Sequence, residues 1–139
     1  MTKLRQLIRN TIVNESGGAA IRAIVGQRAY PAQIASLTNP VYPCINFEIS
    51  LGPIDTATTV YDGTMRVWCW SRQHEGTQDE AWDLFQALVD YWHQSWFSNA
   101  TLARYVQLIQ SGEPVTTFDE EARAYSVVSN WQIFGATTS

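Results

Sequence analysis

The chain has 139 residues, of which 45% are hydrophobic and 16% charged, with a formal net charge of -4 at neutral pH. That length fits a single domain, spanning 1–139, that can bury a core without disulfide or metal support. The acidic balance argues against a groove-reading nucleic-acid binder, and no apolar run reaches the ~18–20 residues of a membrane helix.

Residues 2–14 set Leu4, Leu7, Ile8 and Ile12 on one helical stripe, with Thr2 placed as the N-cap. Arg9, Asn10 and Asn14 interrupt the apolar positions, so the segment does not read as a secretory signal, and a cytoplasmic chain is expected. Gly17-Gly18 predicts the helix stop, and Ala19 to Val25 predicts one or two further turns closed by Gly26. Arg28-Ala29-Tyr30-Pro31 reads as a short extended piece at a sheet edge, because proline cannot serve a central ladder.

From Pro43 to Leu51, Ile45, Phe47, Ile49 and Leu51 alternate with Cys44, Asn46, Glu48 and Ser50, which predicts a strand with one buried face. Gly52-Pro53 breaks it. Thr56 to Tyr61 predicts a second strand, and Asp62-Gly63 a hairpin turn into a third, Thr64 to Arg72. There Met65, Val67 and Cys69 share one face, and Arg66, Trp68, Trp70 and Arg72 the other. A face of alternating Trp and Arg is too apolar to be left wet, so it is expected under a helix or against another chain.

Thr77 and Glu80 form a capping box, and Ala81, Leu84, Phe85, Leu88, Val89 and Trp92 follow at helical spacing, predicting a helix to about His93. Trp96 and Phe97 are placed in the exit loop as a lid on the core. Leu102 to Gln110 and Arg123 to Phe134 read as two closing strands, with 111–121 an exposed acidic connection between them. The order predicts an α+β fold, a mainly antiparallel sheet packed by an N-terminal helix and a longer central helix.

No specific catalytic constellation is present. The only lysine is Lys3, which excludes a phosphate-binding loop of the Gly-Lys-Ser/Thr type, and His74-Glu75 lacks a second His at helical spacing. His74 reads as a solvated loop residue and His93 as helix-end chemistry. Asp79, Glu80 and Asp83 are accounted for by the helix start, and Asp119, Glu120 and Glu121 by a solvated acidic face. Cys44 and Cys69 read as buried small hydrophobes, and Phe47, Phe85, Trp92 and Trp131 as core. The sequence therefore predicts a protein that is not an enzyme, with no catalytic, cofactor-binding or metal-binding residue. Trp68 and Trp70 beside Arg66 and Arg72 would suit stacking of single-stranded nucleic acid. With nine basic residues in the whole chain, packing under a helix or against a neighbouring subunit is preferred.

The order of segments carries a resemblance. A short N-terminal helix leads to Gly26-Gln27-Arg28-Ala29-Tyr30-Pro31, then to Val41-Tyr42-Pro43-Cys44-Ile45-Asn46-Phe47-Glu48-Ile49-Ser50 and to Thr64-Met65-Arg66-Val67-Trp68-Cys69-Trp70-Ser71 entering a helix. Over roughly residues 4–134 this resembles the tail-terminator, or tail-completion, proteins of long-tailed bacteriophages and gene-transfer agents. The resemblance implies a structural virion protein forming a homo-oligomeric ring, commonly a hexamer. Such a ring caps the tail tube, ends its polymerisation and joins the tail to the head. It implies as partners further copies of the chain, the major tail tube protein and the head–tail connector or stopper. DNA passes through the channel without sequence-specific binding, and no membrane is involved. The location implied is the head-proximal end of the virion tail, assembled in the host cytoplasm. A neck protein, stopper or adaptor, is the alternative address, and a small metal-dependent hydrolase built on the acidic clusters is the reading from another class. In a ring, the long connections 52–63 and 111–122 are expected to make the contacts, through Asp62, Glu113, Asp119, Glu120 and Glu121 beside Arg66, Trp68 and Trp70.

Overall fold

A computed structural model describes residues 2–33, 37, 39–51, 60–99 and 104–137. Helix α1 covers Thr2–Val13, a 3-10 turn Ser16–Gly18, and α2 Ala19–Val25. Thr2 is the first residue of α1 rather than its cap. The glycine pair does not simply end the helix. At Gly18 a Cβ would lie 2.4 Å from the Thr11 carbonyl oxygen, so only glycine lets the chain fold back onto the end of α1.

Six strands form one sheet in the order β1-β2-β3-β6-β5-β4. They are β1 Ala29–Tyr30, β2 Cys44–Leu51, β3 Val60–Trp70, β4 Ser95–Asn99, β5 Arg104–Asp119 and β6 Ala124–Thr137, with α3 at Gln78–Trp92 between β3 and β4. Only β1 pairs in parallel, at the edge next to β2, and Pro31 ends it at once. The fold is α+β, with three helices against a mostly antiparallel sheet.

The helices bury one face of that sheet. Leu4, Leu7, Ile8 and Ile12 of α1 and Leu84, Phe85, Leu88 and Trp92 of α3 share a core with Ile45, Phe47, Met65, Val67, Trp131 and Ile133. Two indoles meet edge to face in its centre, Trp92 and Trp131, with ring centroids 5.4 Å apart. Each N–H finds an acceptor: Trp92 Nε1 donates to Thr11 Oγ1 at 2.8 Å, and Trp131 Nε1 to Ser129 Oγ at 2.9 Å. The buried hydroxyls Thr11 and Ser129 are there to satisfy them.

Several local readings are overturned. Asp62-Gly63 is not a turn: both residues lie inside β3, opposite Phe134 and Ile133 of β6. Pairing to strands on both sides outweighs a two-residue turn signal, and the β2–β3 connection falls in 52–59, outside the described residues, as does most of the strand predicted over Thr56 to Tyr61. Residues 111–119 are not a loop but the second half of β5. Gly112, at φ 73°, and Pro114 sit where the register shifts between Ser111 and Val115, a bulge that absorbs both residues without ending the strand. Trp96 and Phe97 belong to edge strand β4. Alternation sends Phe97 inward, edge to face on Tyr91 at 5.3 Å, and leaves Trp96 half exposed instead of covering the core. Half of the capping box forms. Thr77 Oγ1 accepts from Glu80 N at 3.2 Å, but the Glu80 carboxylate turns away to Arg72, accepting from its backbone N at 2.7 Å and its Nε at 3.1 Å.

Candidate interaction surface

The face of the sheet opposite the helices carries the Trp/Arg alternation. Register places Glu48, Arg66, Asn130 and Ser111 in one cross-strand row, and Asn46, Trp68, Val128 and Val115 in the next. Among the described residues no helix covers these rows. The expectation that a helix or another chain covers both tryptophans fails for Trp70, which its own chain buries. Trp70 Nε1 donates to Asn46 Oδ1 at 2.7 Å, Asn46 Nδ2 donates to the Ala32 carbonyl at 3.1 Å, and Tyr42 meets the indole edge to face. Trp70, Cys44 and Ala124 form a second small core, with Tyr30, Tyr42 and Ala122 packed against it. Trp68 is partly buried against that core.

Arg66, Trp68, Trp70 and Asp119 converge on one groove of about 390 Å³, with Asn46 and Glu48 also in its walls. Asp62 and Glu113 are exposed outside this groove, Asp62 on the same face opposite Phe134 and Glu113 in the β5 bulge. Glu120 and Glu121 are exposed in the tight β5–β6 turn. Asp119 is not a free carboxylate: its Oδ1 accepts from Ala122 N at 2.8 Å and its carbonyl from Arg123 N, so it holds that turn. The acidic trio is therefore one turn-forming side chain plus two solvated ones.

Among the described residues, the large hydrophobics left exposed are Val41, Trp96, Val115, Phe118 and Phe134. Trp96, Gln107 and Phe134 stand side by side across β4, β5 and β6 on the helix-free face. A signal for this was present. Leu108-Ile109, Val127-Val128 and Ile133-Phe134 are adjacent apolar pairs, and neighbours in a strand point to opposite faces, so apolar side chains must reach both.

Burial pushes the Cys44 thiol from its usual 9.0 up to about 12, against a smaller lowering from Arg28, and burial raises Cys69 as well. Tyr42 is pushed up to about 12, first by burial and then by Cys44 and Asp119 nearby. His93 caps α3, and its Nδ1 accepts the backbone N–H of Gln110 at 3.0 Å, so this nitrogen carries a lone pair rather than a proton. Among the described residues no three His, Cys, Asp or Glu side chains group to hold a metal ion.

The arginines divide by task. Arg9 donates to the carbonyls of Ala29 and Gln27, Arg22 to those of Ile12 and Glu15, and Arg28 to those of Pro43 and Ile24, closing helix ends and loops. Arg72 pairs with Glu80. Arg66 is left exposed with a weak contact to Asn130 Oδ1 at 3.4 Å, and Arg5 is exposed on α1. No helix of the described residues is long and apolar enough to cross a membrane. No protein-family model matches this sequence, and none of the curated proteins matches it.

Proposed function

We infer that this chain is a structural assembly subunit, a tail-terminator-like protein that forms a ring on the end of a phage-type tail tube, stops its growth and meets the head connector. One observation carries the reading: among the described residues a single sheet has its helices on one face, and the other face presents exposed Trp96, Val115 and Phe134, with charged Arg66 and Glu48 on the same face. Exposed apolar side chains spread over several strands mark a surface that a partner covers. The partners proposed are further copies of the chain, the tube protein and the connector or stopper, with DNA passing through the channel without sequence-specific contact. On this reading the chain is not an enzyme and acts within the virion, at the head-proximal end of the tail.

A ring needs two different patches per subunit, since head-to-tail contacts are heterologous. The fold supplies two unlike sheet edges, β1/β2 on one side and β4 on the other, and edges seek a partner or protection. The test is tube assembly in vitro. With this chain added, tail tubes seen by electron microscopy should stop at a narrower length distribution and carry a terminal ring. Tubes of unchanged length with bare ends overturn the reading; a ring bound to portal-side protein instead of tube moves the chain to the neck.

A further inference from the structure

Charge is segregated along this chain. Residues 1–42 hold five basic side chains against Glu15 alone, and residues 43–139 hold four against twelve acids. Arg5 of α1 and Arg66 of β3 line one cleft of about 550 Å³, together with Glu48, Ser50, Thr64 and Asn130. Neither arginine has a carboxylate partner among the described residues. Glu48 offsets one of the two charges and leaves the cleft net positive. The cleft also opens where β1 stops: β1 pairs with β2 only at Ile45 and Asn46, so Phe47 to Leu51 have no described strand on that side. Further along the open face, across the groove that Arg66 and Glu48 share with Asp119, the β5–β6 turn exposes Glu120 and Glu121 next to half-exposed Phe118, with Arg123 exposed in the same turn. The hollow beside that turn, lined by Tyr42, Asp119 and Glu121 among others, shares no residue with the Arg5/Arg66 cleft.

We propose that the Arg5/Arg66 cleft of one copy receives the acidic β5–β6 hairpin tip of a second copy, Glu120 and Glu121 facing the two guanidiniums. The inference rests on the reading of the chain as a repeating subunit and names the contact that joins the repeats. Cleft and tip are distinct surfaces of opposite sign on the same chain, so the contact is head-to-tail and propagates until it closes. Arginine suits the cleft because its planar fork accepts a carboxylate in two parallel hydrogen bonds. The pairs lie at an open cleft, so the contact weakens with salt.

Sedimentation velocity of the full chain at low salt tests it. Arg5→Glu with Arg66→Glu should weaken self-association about tenfold or more, and Glu120→Arg with Glu121→Arg should do the same. All four side chains are exposed, and circular dichroism with a thermal melt checks that each variant stays folded. Mixed in equal amounts, the two variants should associate again, because the reversed cleft of one now fits the reversed tip of the other. Glu48→Gln, which removes the offsetting charge, should tighten association, an effect that mere loss of fold cannot give. Wild-type association that both reversals leave unchanged, or a mixture that stays dissociated, overturns this contact while leaving the ring to other surfaces. A wild-type chain that stays monomeric at every concentration also overturns it, and the tube-length experiment then judges the assembly reading separately.

Discussion

The two faces of the one sheet are built by opposite rules. On the helix side, Phe47, Val67, Trp131 and Ile133 are sealed under α1 and α3, and each buried indole N–H has a hydroxyl to receive it. On the other side, among the described residues, Trp70 is sealed by Asn46 and Tyr42, while Trp96, Val115 and Phe134 stay exposed. The helix face is finished within one chain. The open face keeps Trp96, Val115 and Phe134 exposed among the described residues, and the proposed function assigns that surface to a partner.

That contrast can be broken by substitution. Leu88→Ala, at the centre of the helix face, should lower unfolding free energy by about 2–5 kcal/mol in a urea titration. Trp70→Phe should lower it by about 1–3 kcal/mol, because Asn46 Oδ1 then loses its buried donor. Alkali probes the sealed thiols and Tyr42. Their folded values lie above their ordinary ones, so the unfolded chain releases those protons first. Stability is therefore full below about pH 9 and should fall towards pH 12, by up to ~1.4 kcal/mol per pH unit for each group. Cys44→Ala should flatten that decline in denaturant melts taken from pH 8 to 11. The smallest effect belongs to the open face. Trp96→Ser and Phe134→Ser should each change monomer stability by no more than ~0.5 kcal/mol, while reducing capture of the chain by tube ends. A large drop in stability from either would mean that this face is core after all.

Much of the architecture was legible before any coordinates. The 3.6-residue spacing of Leu4 to Ile12 and of Ala81 to Trp92, and the two-residue alternation of Ile45 to Ile49 and Met65 to Cys69, mark the core because each period has one face to bury. Turn-forming residues misled where strands continued on both sides. Asp62-Gly63 and the Ser111 to Pro114 stretch read as breaks, but pairing with β6 holds them extended, one within an ordinary ladder and one through a bulge. The candidate surface was half legible: Arg66, Trp68 and Trp70 do share a face and a groove, whereas Asp119 is taken by the hairpin turn and Asp62 and Glu113 lie outside that groove.

The amino-acid sequence alone determined which side chains could be buried together and the α+β class that follows, since periodicity is a property of the local backbone. Only the tertiary structure decided which of the two apolar sheet faces the helices would cover, which carboxylates and guanidiniums remained free, and which indole was sheltered by its own chain. Those outcomes depend on contacts between residues far apart in the chain, such as Asn46 with Trp70 and Thr11 with Trp92, and no local pattern encodes them.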